Sequence, residues 1–509
     1  MRATPHTWIL RVRADRSLQA LAGITLLALV LRLAMVWYAR HIPAVPADAF
    51  DSPVYLRLGY QWSRLEPLYG TRQWPPNPSG TNWFFGPVYP LMIGAVQALR
   101  HQAGDVGNLR VWLGVVQALL GAWTVLLVGL LTRRMPQHAG TARVAGLVAA
   151  ALLALWPGQI LGTAVIMSEG LATPLFVTGT ALLIWRRNPS TVLVGAAGAI
   201  FGTLAYVRYS AVPLLALAAP VAAIGPSAPI RAAQWNRERF LLLGSFALGC
   251  SLAMTPWIAL YHAGNNGFFP ADSAAYNLCI GNYDGANGRF DPSAKPCESE
   301  ESTAGALNAE TRRWILGNLD QQPRLIIQRL NETMKEDNYA AASYPTPNHQ
   351  MLFPEGERHW LLEAADRWWR WAVVVSLVGL AVGLVTRGRM FRRFALLAIA
   401  TLIGALTSTG TPRYHDALVP AMAIWSATAL VDGSHWIALQ LVAARNSRIW
   451  TARKIQPSGA GSTGRGGGPQ PIGAIGPELA GDEVAADRRA GFVLAYAPHQ
   501  GAAPVSQHP

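Results

Sequence analysis

Charge is scarce in this chain. Only 14% of its 509 residues are Asp, Glu, Lys or Arg, while 51% are hydrophobic; a soluble globular protein carries about 25% charged residues. That shortage excludes a water-soluble globule. Acidic residues are the scarcer sign, 28 against 42 Lys and Arg, for a formal charge of +14. Such a surplus can mark a nucleic-acid partner, but no basic face with interleaved aromatics accompanies it, so nucleic acid is excluded. Cysteine is nearly absent, with three residues and no zinc-type spacing. No phosphate-cradling glycine loop, nucleotide-sugar signature, hydrolase triad or internal repeat stands out. A cleavable signal is also missing: Met1–Ser17 carries Arg2, Arg11, Arg13 and Arg16, and the apolar run after it is too long for a signal-peptide core. That run is expected to stay as an anchor with its N-terminal side in the cytoplasm.

What is present is a series of apolar runs. Candidate spans are Leu18–Ala39, Leu109–Leu131, Ala142–Pro157, Ser168–Trp185, Thr191–Tyr206, Ser210–Ile224, Phe240–Tyr261, Trp369–Val385, Phe394–Ser408 and Ala417–Leu439. A straight crossing takes about 20 residues, so several are short and their ends are soft. The arginines cluster between them, at Arg133 and Arg134, Arg186 and Arg187, Arg231 to Arg239, Arg387 to Arg393, and Arg445 to Lys454. Counting crossings from an inside N-terminus puts every cluster on the cytoplasmic side, the positive-inside pattern. The same count puts Asp51, the segment 263–367 and the turn Thr409–Asp416 together on the opposite side.

The expected fold is an all-α polytopic membrane protein of about ten transmembrane helices. Residues 1–17 form a cytoplasmic segment, and 18–262 a bundle that includes a long outer loop, 40–108. Aromatics are dense in that loop (Tyr55, Tyr60, Trp62, Tyr69, Trp74, Trp83, Phe84, Phe85), which predicts interfacial helices lying on the bilayer. Residues 263–367 form a large outer loop with turn signals and a helix over Leu307–Met334, and 368–442 return to the membrane. The tail, 443–509, is cytoplasmic and rich in Gly, Ala and Pro, which predicts disorder. Cys250 reads as a small core residue. Cys279 and Cys297 share the outer loop, where they either form a disulfide in an oxidising compartment or remain two thiols.

A carboxylate at the headgroup level suits a substrate whose polar end is presented by a lipid. Glycosyl transfer from a phosphate donor needs a base for the acceptor hydroxyl, cations for the departing phosphate, and shelter from water. Asp51 is the candidate base, since partial desolvation raises a carboxylate's basicity. Asp48 competes, three residues away and on the same face if this stretch is helical. The alternative is that both merely start a helix, as N-caps do. Arg208 and Arg413 are the candidate phosphate ligands, because a guanidinium grips phosphate oxygens bidentately. Arg208 also lies on the outer side, against the positive-inside bias. The alternative for each is snorkelling or pairing with a carboxylate such as Glu169 or Asp416. Glu169, at an outer helix start, could orient Arg208 or a sugar hydroxyl. Arg32, inside the first span, is assigned to snorkelling or pairing and left out of the site.

The order Asp51–Tyr55, Pro87-Val88-Tyr89-Pro90, Ser168-Glu169, Val207-Arg208, Pro256-Trp257, Asn277–Gly288 and Pro412-Arg413-Tyr414 resembles the GT-C membrane glycosyltransferases. The closest branch is glycosyltransferase family 39, which holds the protein O-mannosyltransferases and the lipid A aminoarabinose transferase. The resemblance spans residues 51 to 420. It implies a polyprenyl-phosphate-linked sugar as donor, membrane lipids around it, and a glycan, lipid or protein as acceptor. It also implies an outer-face site in a bacterial inner membrane, with the first-loop aspartate as base. Tyr55, Asn282 and Tyr414 fall on the family's motif positions and are carried over as substrate-binding residues. No metal ligand and no cofactor is assigned; a divalent metal stays open, since family members differ on it. Ser52 replaces the familiar acidic neighbour, and Ile258-Ala259-Leu260-Tyr261-His262 replaces an arginine-asparagine pair, which leaves sugar and acceptor open. The rival function is a transporter or flippase of lipid-linked glycans, which would place ionisable groups near the bilayer midplane.

Overall fold

The structure, a computed structural model, describes residues 15–40, 51–64, 85–100, 106–135, 139–186, 189–224, 237–265, 272–291, 297, 304–337 and 355–434. All lie in the first of two compact units, 1–445. Asp48, the aromatic-rich stretch 65–84 and the tail fall outside the described residues.

Among the described residues the fold is helical, with no strand. The helices are α1 Arg16–Ala39, α2 Ser52–Ser63, α3 Val88–Arg100, α4 Val106–Thr132, α5 Ala139–Ala154, α6 Pro157–Gly162, α7 Glu169–Ile184, α8 Thr191–Val207 and α9 Val212–Ile224. They continue as α10 Arg237–Asn265, α11 Asp272–Gly281, α12 Ala304–Gly317, α13 Gln322–Met334, α14 Glu355–Thr386, α15 Arg389–Ala400, α16 Ile403–Thr407, and α17 over 419–434. Among the described residues, five segments are long and apolar enough to cross a membrane: α1, Leu109–Thr132, Arg237–Leu260, Trp360–Thr386 and Arg389–Thr407. Five further apolar helices are shorter, among them α5, α7, α8 and α9. Large apolar side chains face outward, including Leu26, Leu252, Val374 and Val385. In water that surface would be a liability; against acyl chains it is the expected exterior.

Without a hydrophobic drive between helices in lipid, close backbone approach supplies the packing. One close pair, α8 and α10, meets through glycines: a Cβ on Gly249 would lie 1.9 Å from the Gly195 carbonyl oxygen. Cys250 sits in this seam, its thiol donating to the Gly198 carbonyl at 3.1 Å. Polar links tie the ends. Asp15 caps α1 by accepting from the Ser17 backbone N–H and also pairs with Arg133 at 3.0 Å. Arg387 donates to both oxygens of Asp432, at 2.7 and 3.2 Å, joining α14 to α17.

Two expectations change. The helix predicted over Leu307–Met334 is two helices, α12 and α13, with a turn over 318–321. Pro323 lacks an N–H and disfavours helical geometry in the residue before it, so it opens a helix instead of continuing one. The span predicted over Phe394–Ser408 is divided at Thr401 and Leu402 into α15 and α16. Cys279 and Cys297 form a disulfide, with sulfurs 2.08 Å apart.

Candidate functional site

Asp51 holds the N-cap position of α2, yet its side chain makes no capping hydrogen bond. The carboxylate instead pairs with the Arg413 guanidinium, 362 residues along the chain. The helix start is secured otherwise. Pro53 lies in the first turn, and the Ser52 hydroxyl donates to the Ile166 carbonyl at 2.9 Å, docking α2 on the segment before α7. Capping therefore does not account for this aspartate's carboxylate.

A second ion pair lies alongside. Glu169 opens α7, and its carboxylate accepts from Arg208 at 2.6 Å. Arg208 stops α8 by turning extended, φ −143° and ψ 115°, which aims its side chain across the helix ends. The Tyr414 ring lies under both cations, 5.0 Å from the Arg208 guanidinium carbon and 5.8 Å from that of Arg413. Tyr55 packs between Phe85 and Tyr89 at 4.9 and 5.0 Å. Burial first, and then the charges of Asp51 and Glu169, hold its phenol well above its ordinary value. Asp51, Tyr55, Glu169, Arg208, Arg413 and Tyr414 thus come from four separated segments into one cluster at one end of the bundle. The Arg133–Asp15 pair joins the start of α1 to the end of α4, at the opposite end of α1 from the segment leading to Asp51.

Asn282 is placed elsewhere. Its amide donates to the carbonyls of Leu278 and Thr407 and accepts from Arg329, which also binds the Gly281 and Leu406 carbonyls. A Cβ on Gly281 would collide with the Ser408 carbonyl. The Gly-Asn pair is explained by this staple between α11, α13 and α16.

A third group joins Asp337, which nothing in the sequence marked, to His415 and Asp416. His415 is buried and stacked on Trp369, ring centroids 3.9 Å apart. Its Nδ1 faces the Thr333 carbonyl at 2.8 Å and its Nε2 the Asp337 carboxylate at 3.1 Å. Asp337 also accepts from the Trp156 indole at 2.7 Å, and Asp416 accepts from Gln159 at 3.2 Å. Burial disfavours the imidazolium of His415. The hydrogen bond and charge of Asp337, the charge of Asp416 and the Thr333 carbonyl outweigh it, and the pKa is raised. Asp416 is pushed up to about 7 by burial, with Asp337 and Glu169 adding to the shift against His415 and Arg208. One ligand atom from each of Asp337, His415 and Asp416 lies within 4.8 Å of the others. With Nδ1–H committed to a carbonyl, this oxygen and imidazole set fits a divalent cation; it fits a shared proton equally well.

Beside these groups lies a cleft of about 70 Å³, partly open to solvent. Glu169, Arg413, Asp416, Asp337 and His415 are in its wall, and so is Arg32 from within α1.

No protein-family model matches the chain and no curated protein matches it. Among solved structures it is similar to the archaeal oligosaccharyltransferase AglB from Archaeoglobus fulgidus, in complex with an inhibitory peptide and a dolichol-phosphate. That match has 16% identity and a TM-score of 0.45 over 86% of this chain and 52% of that one. It is also similar to ArnT from Cupriavidus metallidurans bound to undecaprenyl phosphate, with 14% identity and a TM-score of 0.45 over 83% and 63%. The chain therefore spans about half to two-thirds of the length of the structures it resembles.

Proposed function

We propose that this chain is a GT-C-type membrane glycosyltransferase that moves a sugar from a polyprenyl-phosphate carrier to an acceptor on the outer face of a bacterial inner membrane. The observation that carries the proposal is the meeting of Asp51, Glu169, Arg208 and Arg413 beside one cleft at a single end of a lipid-facing bundle. Dolichol phosphate and undecaprenyl phosphate are what the AglB and ArnT structures hold; for this chain the assignment stands on its own side chains.

The chemistry follows from the pairing. Asp51 accepts the proton of the acceptor hydroxyl as that oxygen bonds to the anomeric carbon. The bond from that carbon to the carrier phosphate breaks, and its electron pair stays on the phosphate oxygen. Attack from the face opposite the phosphate inverts the anomeric centre. Arg208 and Arg413 take up the developing charge. Arg208 contacts Glu169 through one of its nitrogens, so other donors of its fork can reach phosphate. Arg413 must exchange Asp51 for phosphate, and that exchange frees the base at the moment the donor arrives. Tyr55 and Tyr414 wall the cluster with rings, a surface suited to a sugar face. A divalent cation, if bound, would sit on Asp337, His415 and Asp416 and add positive charge beside the phosphate.

Arg32, a charge inside the bundle, is the feature that most favours the flippase reading among the described residues. The test is to give membranes containing the protein a panel of labelled polyprenyl-phosphate sugars and fractionate the products. Transfer of label from the carrier to a new acceptor is expected. Movement of intact carrier-linked sugar across the bilayer without cleavage would sink the transferase and leave the flippase.

A further inference from the structure

Arg32 is 2% exposed, so it does not reach the interface as a snorkelling arginine would. It lies seven residues before the end of α1, about 10 Å below the helix end at a rise of 1.5 Å per residue. Its hydrogen bonds go to two backbone carbonyls, Ala28 at 3.2 Å and Leu153 at 3.4 Å. Among the described residues no carboxylate pairs with it. The Leu153 carbonyl belongs to the last turn of α5, whose partial negative charge compensates only a fraction of a full cation. A guanidinium in a membrane bundle without an anion is costly enough to require a reason.

The surroundings make room for this cation. A Cβ on Gly121 would lie 2.5 Å from the Arg32 Nε, so α4 omits a side chain where the guanidinium sits. Gln117, Gly121 and Thr124 follow one face of α4, at i, i+4 and i+7, and all three line the same cleft as Arg32. On the facing helix, Glu169 and Thr173 are a turn apart and also line it. The cleft thus runs from the Asp51–Arg413 end of the bundle inward to a buried positive charge.

We propose that Arg32 is an anion subsite, and that the saccharide handled by this chain carries an acidic substituent, a carboxylate or a phosphate, that pairs with it. Assigning the anion to the transferred sugar rests on the glycosyltransferase reading; the anion subsite does not. A neutral sugar leaves the guanidinium unpaired, and a cationic amino sugar is repelled by it. The charge therefore selects among donors by their chemistry.

The test uses the full chain purified in neutral detergent, with binding of methyl glucuronide, methyl glucoside and glucosamine read from tryptophan fluorescence and thermal unfolding. The glucuronide is expected to bind at least about tenfold tighter than the glucoside, the weight of a charge-assisted hydrogen bond, and glucosamine weakest. Arg32→Met is expected to melt no lower than wild type without ligand and to reduce the preference to about onefold. Should that variant fail to fold, Arg32→Lys keeps the charge and is expected to keep the sign of the preference. Equal affinities in the wild type, or a preference that survives Arg32→Met, overturn the proposal. A parallel arm compares phosphatidylglycerol with phosphatidylcholine. Stabilisation by the anionic lipid that depends on Arg32, with no sugar preference, makes a headgroup the anion and overturns the sugar assignment. Transfer of neutral sugars at full rate sinks this inference and leaves the transferase; acid-selective binding without any transfer does the reverse.

Discussion

The Glu169–Arg208 pair is the most exacting place to test the energetics of the cluster. The two side chains are 9% and 16% exposed and their contact is 2.6 Å. A solvent-exposed pair would contribute about 0.2–1 kcal/mol. Losing one partner of a buried pair costs about 3–5 kcal/mol, because the surviving charge stays desolvated. Glutamine keeps the shape of Glu169 and one acceptor oxygen, so Glu169→Gln is expected to cost about 2–4 kcal/mol. Arg208→Gln is expected to cost a similar amount, by stranding the carboxylate. The double variant strands neither, and its cost is expected to fall well short of the sum, a coupling of about 2 kcal/mol or more. Denaturant unfolding in mixed micelles, followed by tryptophan fluorescence, measures all four corners of the cycle. A coupling below about 0.5 kcal/mol would put the pair in the exposed class and refute the claim that it is a desolvated element of the site.

Three further outcomes are expected. Gly249→Ala should loosen the α8–α10 seam, costing about 1–3 kcal/mol, since the new methyl would sit 1.9 Å from the Gly195 carbonyl; the melting temperature of purified protein reads this. Replacing both Cys279 and Cys297 by serine opens a loop of 18-residue separation and should cost about 2–4 kcal/mol, with the wild-type protein losing the same amount on reduction. In chelator-treated protein, stability should fall as pH rises from about 4 past 7. Asp416 and His415 both bind protons more tightly when folded, Asp416 at about 7 against an ordinary 3.8 and His415 above its ordinary 6.5. The Asp416 contribution is complete below 3.8 and gone above 7. That of His415 is complete below 6.5 and is lost through its raised folded value. Melting curves across that range check the sign, and Asp416→Asn should flatten the acidic part.

The bundle was legible because its signal is long: runs of 15 to 25 apolar residues survive any local error, and within the described residues most of the expected spans fall largely on single helices. The span expected over Phe394–Ser408 was divided at Thr401 because hydropathy alone does not register a one-turn interruption. Asp51, Glu169, Arg208 and Arg413 could be singled out because each is a charge at the edge of an apolar run. Asp337 carried no such mark. It follows Lys335 and Glu336 at the end of a polar helix and reads as solvated, yet it is buried against Trp156 and His415. Nothing in local pattern links residues 156, 337 and 415; only the packing of α6, α13 and α14 does. Arg32 was visible as a charge in a span, but its lack of a carboxylate partner is a tertiary fact.

Asp51 takes the proton of the attacking hydroxyl in the proposed reaction, and Asp51→Asn removes that base alone, since the amide keeps the shape and cannot accept the proton. With purified protein, a carrier-linked donor and its acceptor, turnover should fall by about 10²–10⁴-fold while carrier binding and the melting curve persist. Turnover at the wild-type rate in that variant would contradict the account.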